Sequence, residues 1–122
     1  MQEQVQSGIR LFNDRRFFEC HEVLEEAWTP ERGPRRLFLQ SLIHLAVGLY
    51  HWQRANPAGA GRQLRKGLRK LAGFLPSFEG IDTQRLYGEA LSALERIEAG
   101  AEALEYPRIH AASGAGGVPQ LR

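Results

Sequence analysis

Apolar residues recur along this chain at the three- and four-residue spacing of amphipathic helices, without the sustained alternation of a strand. Glycine, proline, asparagine and aspartate punctuate the pattern. It therefore predicts an all-α, compact single-domain bundle of about five helices. The first helix is predicted over about residues 3–12, with Val5, Ile9 and Phe12 on one face. Asn13 and Asp14 break it and offer capping side chains to a second helix. That helix is predicted from about Arg15 to Trp28, ended by Thr29 and Pro30. Gly33 and Pro34 open a third, running to about Ala55. Asn56 and Pro57 cap and start a fourth, to about Phe74, with Leu64, Leu68, Leu71 and Leu75 inward. After a loop over residues 76–80, Asp82 or Thr83 caps a fifth helix. Its Leu86, Ala90, Ala93, Leu94, Ile97, Ala101 and Leu104 form one stripe. Beyond Tyr106 and Pro107 the pattern stops, which divides the chain into a helical domain over 1–110 and a flexible tail over 111–122.

The third helix is apolar around most of its circumference, which predicts a central position. Within it Gln40, Ser41, His44, Gly48 and His51 share one narrow stripe. Its uncharged run, LFLQSLIHLAVGLYHWQ, reaches only the roughly 17-residue lower limit of a spanning helix. The run contains glutamine, histidine and serine and is bounded by arginines. A buried helix is predicted, with no membrane partner.

The second helix, FFECHEVLEEAW, sets a histidine among apolar residues. On a helical wheel His21 lies beside Leu24 and Trp28, Glu25 borders that stripe, and Glu19, Glu22 and Glu26 face outward. A stranded buried polar group costs roughly 1–3 kcal/mol, so these groups need partners. The short loop between helices two and three makes them antiparallel neighbours. The expectation is that helix three turns its polar stripe toward His21 and Glu25, forming a His/Glu/Gln cluster in an apolar wall. Small-ligand pockets have that form. A divalent metal held by His21, Glu25, His51 and His44 is one use of such a cluster. The second histidine of H-E-x-x-H and the E-x-x-H pairs of di-iron bundles are missing, however. Acid–base chemistry by a histidine that Glu25 orients is another use. The plainest alternative is a packing histidine without function, with the stripe facing solvent or a second subunit in a homo-oligomer through helix three.

Composition changes this picture in a few places. The 122 residues, 43% hydrophobic, suit one domain. A chain of this size buries roughly two thirds of its unfolded surface without needing a metal or disulfide. Cys20 is the sole cysteine, and the N-terminal stretch lacks an apolar leader; both suit a cytoplasmic protein. Arginine outnumbers lysine fourteen to two. Arginine's planar fork suits carboxylate and phosphate partners, although codon bias in a GC-rich genome is the plainer account. Arg54 to Lys70 holds six bases and no acid, with Arg62, Arg65, Lys66, Arg69 and Lys70 forming a basic face on helix four. Such a face suits phosphate or RNA. The net charge of +2 and the absence of interleaved aromatics argue against nucleic acid.

Taken together, FFECHEVLEEAW, then QSLIHLAVGLYHWQRAN, then PAGA resembles the family of small helical proteins called domain of unknown function 309. The shared pattern falls on His21, Glu22, Glu25, Trp28, Gln40, Ala46, His51, Asn56, Gly59 and Ala60. Many members carry glycine where this chain has Ala55, and glutamine where it has His44. The resemblance implies an all-α fold and a polar cluster across helices two, three and four, to which it adds Glu22. It implies no activity. The candidate site is thus His21, Glu22, Glu25, Gln40, His51 and Asn56, with His44 outlying. In it His21 and His51 are ligands or proton carriers, and Gln40 fixes a polar ligand.

Overall fold

The computed structural model describes residues 2–113. Five α-helices follow one another: α1 Glu3–Asn13, α2 Phe17–Trp28, α3 Gly33–Gln53, α4 Pro57–Leu71 and α5 Thr83–Glu98. A 3-10 turn, Ala72–Phe74, extends α4. Among the described residues, extended pairing is limited to two isolated bridges, Phe78 with Ile81 and Ile81 with Ala111. The fold is all-α, as the periodicity predicts.

Successive helices are spatial neighbours: α1 packs on α2, α2 on α3, α3 on α4 and α4 on α5. That leaves α3 in the middle, and nine of its 21 residues are buried. Most of its apolar circumference is therefore covered by its own chain. Leu37, near its start, is 43% exposed. The core runs through Phe12, Phe17, Leu24, Leu39, Leu42, Leu49, Leu64, Leu71 and Leu86 without a break.

The α3–α4 contact is the most extensive in the bundle, and two glycines permit it. A β-carbon at Gly67 would lie 2.8 Å from Leu45 Cδ2 and 3.0 Å from the Ser41 carbonyl oxygen. At Gly48 it would lie 3.1 Å from the Ala60 carbonyl oxygen. Backbone thus meets side chain directly, as small residues at helix crossings allow.

Helix ends differ from the sequence expectation where the backbone changes hand. Arg15 has φ 63°, a left-handed conformation that a helix cannot include, so α2 begins at Phe17. Neither Asn13 nor Asp14 caps it; Arg16 stands at the N-cap without a side-chain bond. Asn13 instead ends α1 and binds Ile109 on both backbone groups, donating to its carbonyl at 2.9 Å and accepting from its N–H at 2.8 Å. Ala55 has φ 60°, which stops α3 short of it. Asn56 caps α4 as expected, its side chain accepting from the Gly59 N–H, and Asp82 caps α5. Leu75, expected inward, follows the 3-10 turn and is exposed. Gly100, at φ 82°, lies just past the end of α5, so Ala101 and Leu104 fall beyond the helix.

The segment after α5 has no helical period, yet it is pinned. Pro107 and Ile109 are buried, His110 accepts from the Asp82 N–H at 2.8 Å, and Ala112 donates to the Gly80 carbonyl at 2.8 Å. The first residues of the expected tail therefore pair with the loop before α5. Residues 114–122 of that expectation lie outside the described residues.

Two stability outcomes are expected. Gly67→Ala drives a methyl group into Leu45 and the Ser41 carbonyl, and should destabilise by about 1–3 kcal/mol in urea unfolding. Ala55→Gly relieves a left-handed alanine and should stabilise by about 1 kcal/mol, read as a higher melting temperature. A lower melting temperature would show that Ala55 is not strained.

Candidate functional site

The residues singled out by sequence fall into separate groups. On α2, His21 Nδ1 lies 2.6 Å from the Phe18 carbonyl and so donates to its own helix. Its Nε2 then faces Glu25 at 3.8 Å, an attraction that exists only when the ring is protonated. His21 is 20% exposed and Glu25 53%; Glu22 is exposed. His21 and Glu25 are neighbours, as the wheel predicts, but at a surface rather than in a core.

The aromatic link from α2 to α3 runs through Phe18. Its ring stands edge-on to His21 at 5.0 Å and tilts against Tyr50 at 5.3 Å. Tyr50 in turn neighbours His51 at 6.5 Å. Phe18 remains 44% exposed. No hydrogen bond joins His21 or Glu25 to Gln40, His44 or His51 among the described residues.

The polar stripe of α3 faces α4 instead. His51 receives a long hydrogen bond, 3.4 Å, from the Asn56 side-chain amide. Asn56 Oδ1 accepts from the Gly59 N–H at 3.0 Å, so one side chain both caps α4 and steadies His51. His44 Nδ1 donates to Gln63 Oε1 at 2.8 Å, and its Nε2 accepts from Lys70 Nζ at 2.8 Å. Ser41 is buried and donates to the Phe38 carbonyl at 2.6 Å. Gln40 is half-buried, and its side chain bonds no other described residue. The expected meeting of this stripe with His21 is thus replaced by a meeting with α4. Glycines at 48 and 67 bring the α4 backbone to that face of α3, where longer side chains would have held it off.

His21, Glu25, His51 and His44 consequently do not form one ligand set. Among the described residues, no three His, Cys, Asp or Glu side chains gather closely enough to hold a metal ion. Cys20 is buried and donates to the Gly8 carbonyl at 3.2 Å; burial pushes its thiol up to about 12, which makes it inert. On α4, Arg62, Arg65, Lys66 and Arg69 are exposed and Lys70 is half-buried. Arg65 pairs with Glu98 of α5, and Lys70 turns away from that face toward His44.

A different concavity lies beside α5. An open cleft of about 690 Å³ separates α5 from the segment that follows it. Arg15, Arg85, Arg96 and Arg108 line it, with Glu89, Glu105, Tyr106 and His110. Arg85 is held by Glu89 at 3.0 Å. The other Glu89 oxygen accepts from the Arg108 backbone N–H at 2.9 Å. The Arg15 guanidinium lies over the Tyr106 ring at 4.5 Å. Arg96 makes no ion pair among the described residues. Part of this was legible: Arg85, Glu89, Ser92 and Arg96 form a polar stripe on the fifth helix. Arg15 and Arg108, brought in from far along the chain, were not.

Residues 5–63 match the family described as Domain of unknown function (DUF309). That stretch is a DUF309 domain. It contains every candidate residue on α2 and α3, together with Asn56, and of the cleft arginines only Arg15. The uncharacterized protein YpuF of Bacillus subtilis (strain 168) is 40% identical over 93 residues, 74% of this chain and 53% of the relative. An uncharacterized protein of Aquifex aeolicus (strain VF5) is 25% identical over 96 residues, 78% of this chain and 28% of the relative. The chain thus spans about half the length of the first relative and less than a third of the second. No helix among the described residues is long and apolar enough to cross a membrane.

His44 gives the DUF309 domain a pH response of predictable sign. Burial holds the imidazole below the usual 6.5, the Gln63 hydrogen bond opposes this, and the Lys70 and Lys66 charges add to it. The folded chain therefore resists protonation more than the unfolded one. The stability this contributes is complete above pH 6.5 and is lost as pH falls through and below that value. Urea midpoints measured from pH 7.5 to pH 5 should fall more steeply for the native chain than for His44→Gln. Parallel slopes would assign the pH response elsewhere.

Proposed function

We propose that this protein binds a small anionic ligand, one carrying phosphate or carboxylate groups, in the cleft between α5 and the segment after it. The single observation that supports this is the convergence of four arginines from three parts of the chain on one cleft of about 690 Å³. Two glutamates share that lining, and Glu89 is committed to Arg85 and to the Arg108 backbone. Among the described residues, neither Arg96 nor the Arg15 guanidinium forms an ion pair. Arginine forks bind two oxygens of a carboxylate or phosphate at once, and charge-assisted bonds of this kind are about twice as strong as neutral ones. Tyr106, Leu104 and Ala93 supply an apolar wall beside the charges, the mixture typical of small-molecule sites. The volume accommodates a ligand of metabolite size rather than a macromolecule. Ser92 and His110 also line the cleft, with His110 Nε2 4.0 Å from Glu89; no hydrogen bond joins Ser92 to His110 among the described residues, and binding rather than chemistry is the reading.

Calorimetry with inorganic phosphate, pyrophosphate, citrate and a nucleoside monophosphate, each matched in ionic strength with sodium chloride, tests this. At least one should bind, and Arg96→Ala should weaken it about tenfold or more, equivalent to about 1.4 kcal/mol. Arg62→Ala on α4 should leave the affinity unchanged. Equal losses from the two variants would mean diffuse charge attraction, and no binding by any of the four anions would end the proposal.

A further inference from the structure

The chain holds only two lysines, Lys66 and Lys70, among fourteen arginines, and they lie one turn apart on α4. Their surroundings differ. Lys66 is exposed. Lys70 is half-buried, and its Nζ donates to His44 Nε2 at 2.8 Å. The imidazole is fixed from behind, because Nδ1 donates to Gln63 Oε1 at 2.8 Å. Gln63 thereby keeps the Nε2 lone pair aimed at the amine. The arrangement Gln63–His44–Lys70 is an oriented base in hydrogen-bond contact with a potential nucleophile, the geometry that activates side chains for acyl transfer.

We infer that Lys70 is a selective acylation site, modified by small acyl donors such as thioesters or acyl phosphates with His44 as the base. The neutral amine still donates one N–H to His44 Nε2, which leaves its lone pair directed away from the ring toward an incoming carbonyl. The new bond forms between Nζ and the acyl carbon. Once bonded there, the nitrogen becomes far more acidic, and its proton passes to His44 Nε2. The bond from acyl carbon to thiolate or phosphate then breaks, and the leaving group departs with the electron pair. His44 releases the proton to the leaving group or to water. The product amide retains one N–H, which can still bond His44, so modification removes the charge without stranding the imidazole.

Two features favour Lys70 over Lys66. Burial and the charges of Lys66 and Arg69 hold the Lys70 ammonium below its usual range, enlarging the share of reactive amine. His44 is likewise held in the neutral form that can take a proton. An arginine at position 70 would make the same hydrogen bond but could never lose its proton. The cleft ligand plays no part in this inference.

Treating the full chain with limiting acetyl phosphate at pH 7.5, followed by peptide mass spectrometry, gives the test, with Lys66 as internal control. Lys70 should be acetylated faster than Lys66 by on the order of tenfold, modest beside the ~10²–10⁴ of positioned general bases. The ratio should collapse to one or below in His44→Leu, with the Lys66 rate unchanged. Should His44→Leu lose its helical circular dichroism, Gln63→Leu serves instead and should also lower the ratio. Acetylation of Lys66 at an equal or greater rate, or a ratio unchanged in a folded variant, overturns the inference.

Discussion

Where α3 and α4 touch, the main chain of one meets side chains of the other, and everything else is arranged around that crossing. Gly67 lets Leu45 and the Ser41 carbonyl settle against α4, and Gly48 lets α4 settle against α3. This close approach decides which groups face each other. Gln63 and Lys70 come to His44, and Asn56 comes to His51. With two histidines occupied on the α4 side, α2 meets α3 through apolar side chains and the Phe18–Tyr50 contact. The outer helices then add to an established pair, α1 over α2 and α5 over α4.

The fold was largely legible because helix periodicity, proline and caps act locally. Asn56 and Asp82 cap as their neighbours in sequence require. Boundaries failed at Arg15 and Ala55, where a left-handed residue other than glycine leaves no compositional mark. The candidate residues fell into separate groups for a related reason. Ser41 and Gly48 read as empty space beside polar groups, whereas small residues in a stripe also mark where another backbone comes close. The matching glycines at 59 and 67 on α4 carried that information. A wheel ranks residues around one axis and is silent about which neighbour claims each face.

The two kinds of cation have separate positions. Arginine provides fixed charge in the cleft, where Arg15 and Arg96 form no ion pair among the described residues. Lysine provides adjustable charge, and the buried half of α4 places it against a histidine that is itself kept neutral. The arginine excess therefore bears on chemistry whatever its genomic origin. It leaves very few positions at which charge can be switched by a covalent change.

Asn13 grips Ile109 across 96 residues of chain, while the helix pairs of the bundle are all sequence neighbours. Local pairs close small loops and form early; a clasp between the two ends closes the longest loop available, and its entropic demand falls at the end of folding. One wall of the arginine cleft is that returning segment. The cleft therefore keeps that wall only while this contact between distant parts of the chain holds. Any ligand that settles there also reports on whether the two ends have met.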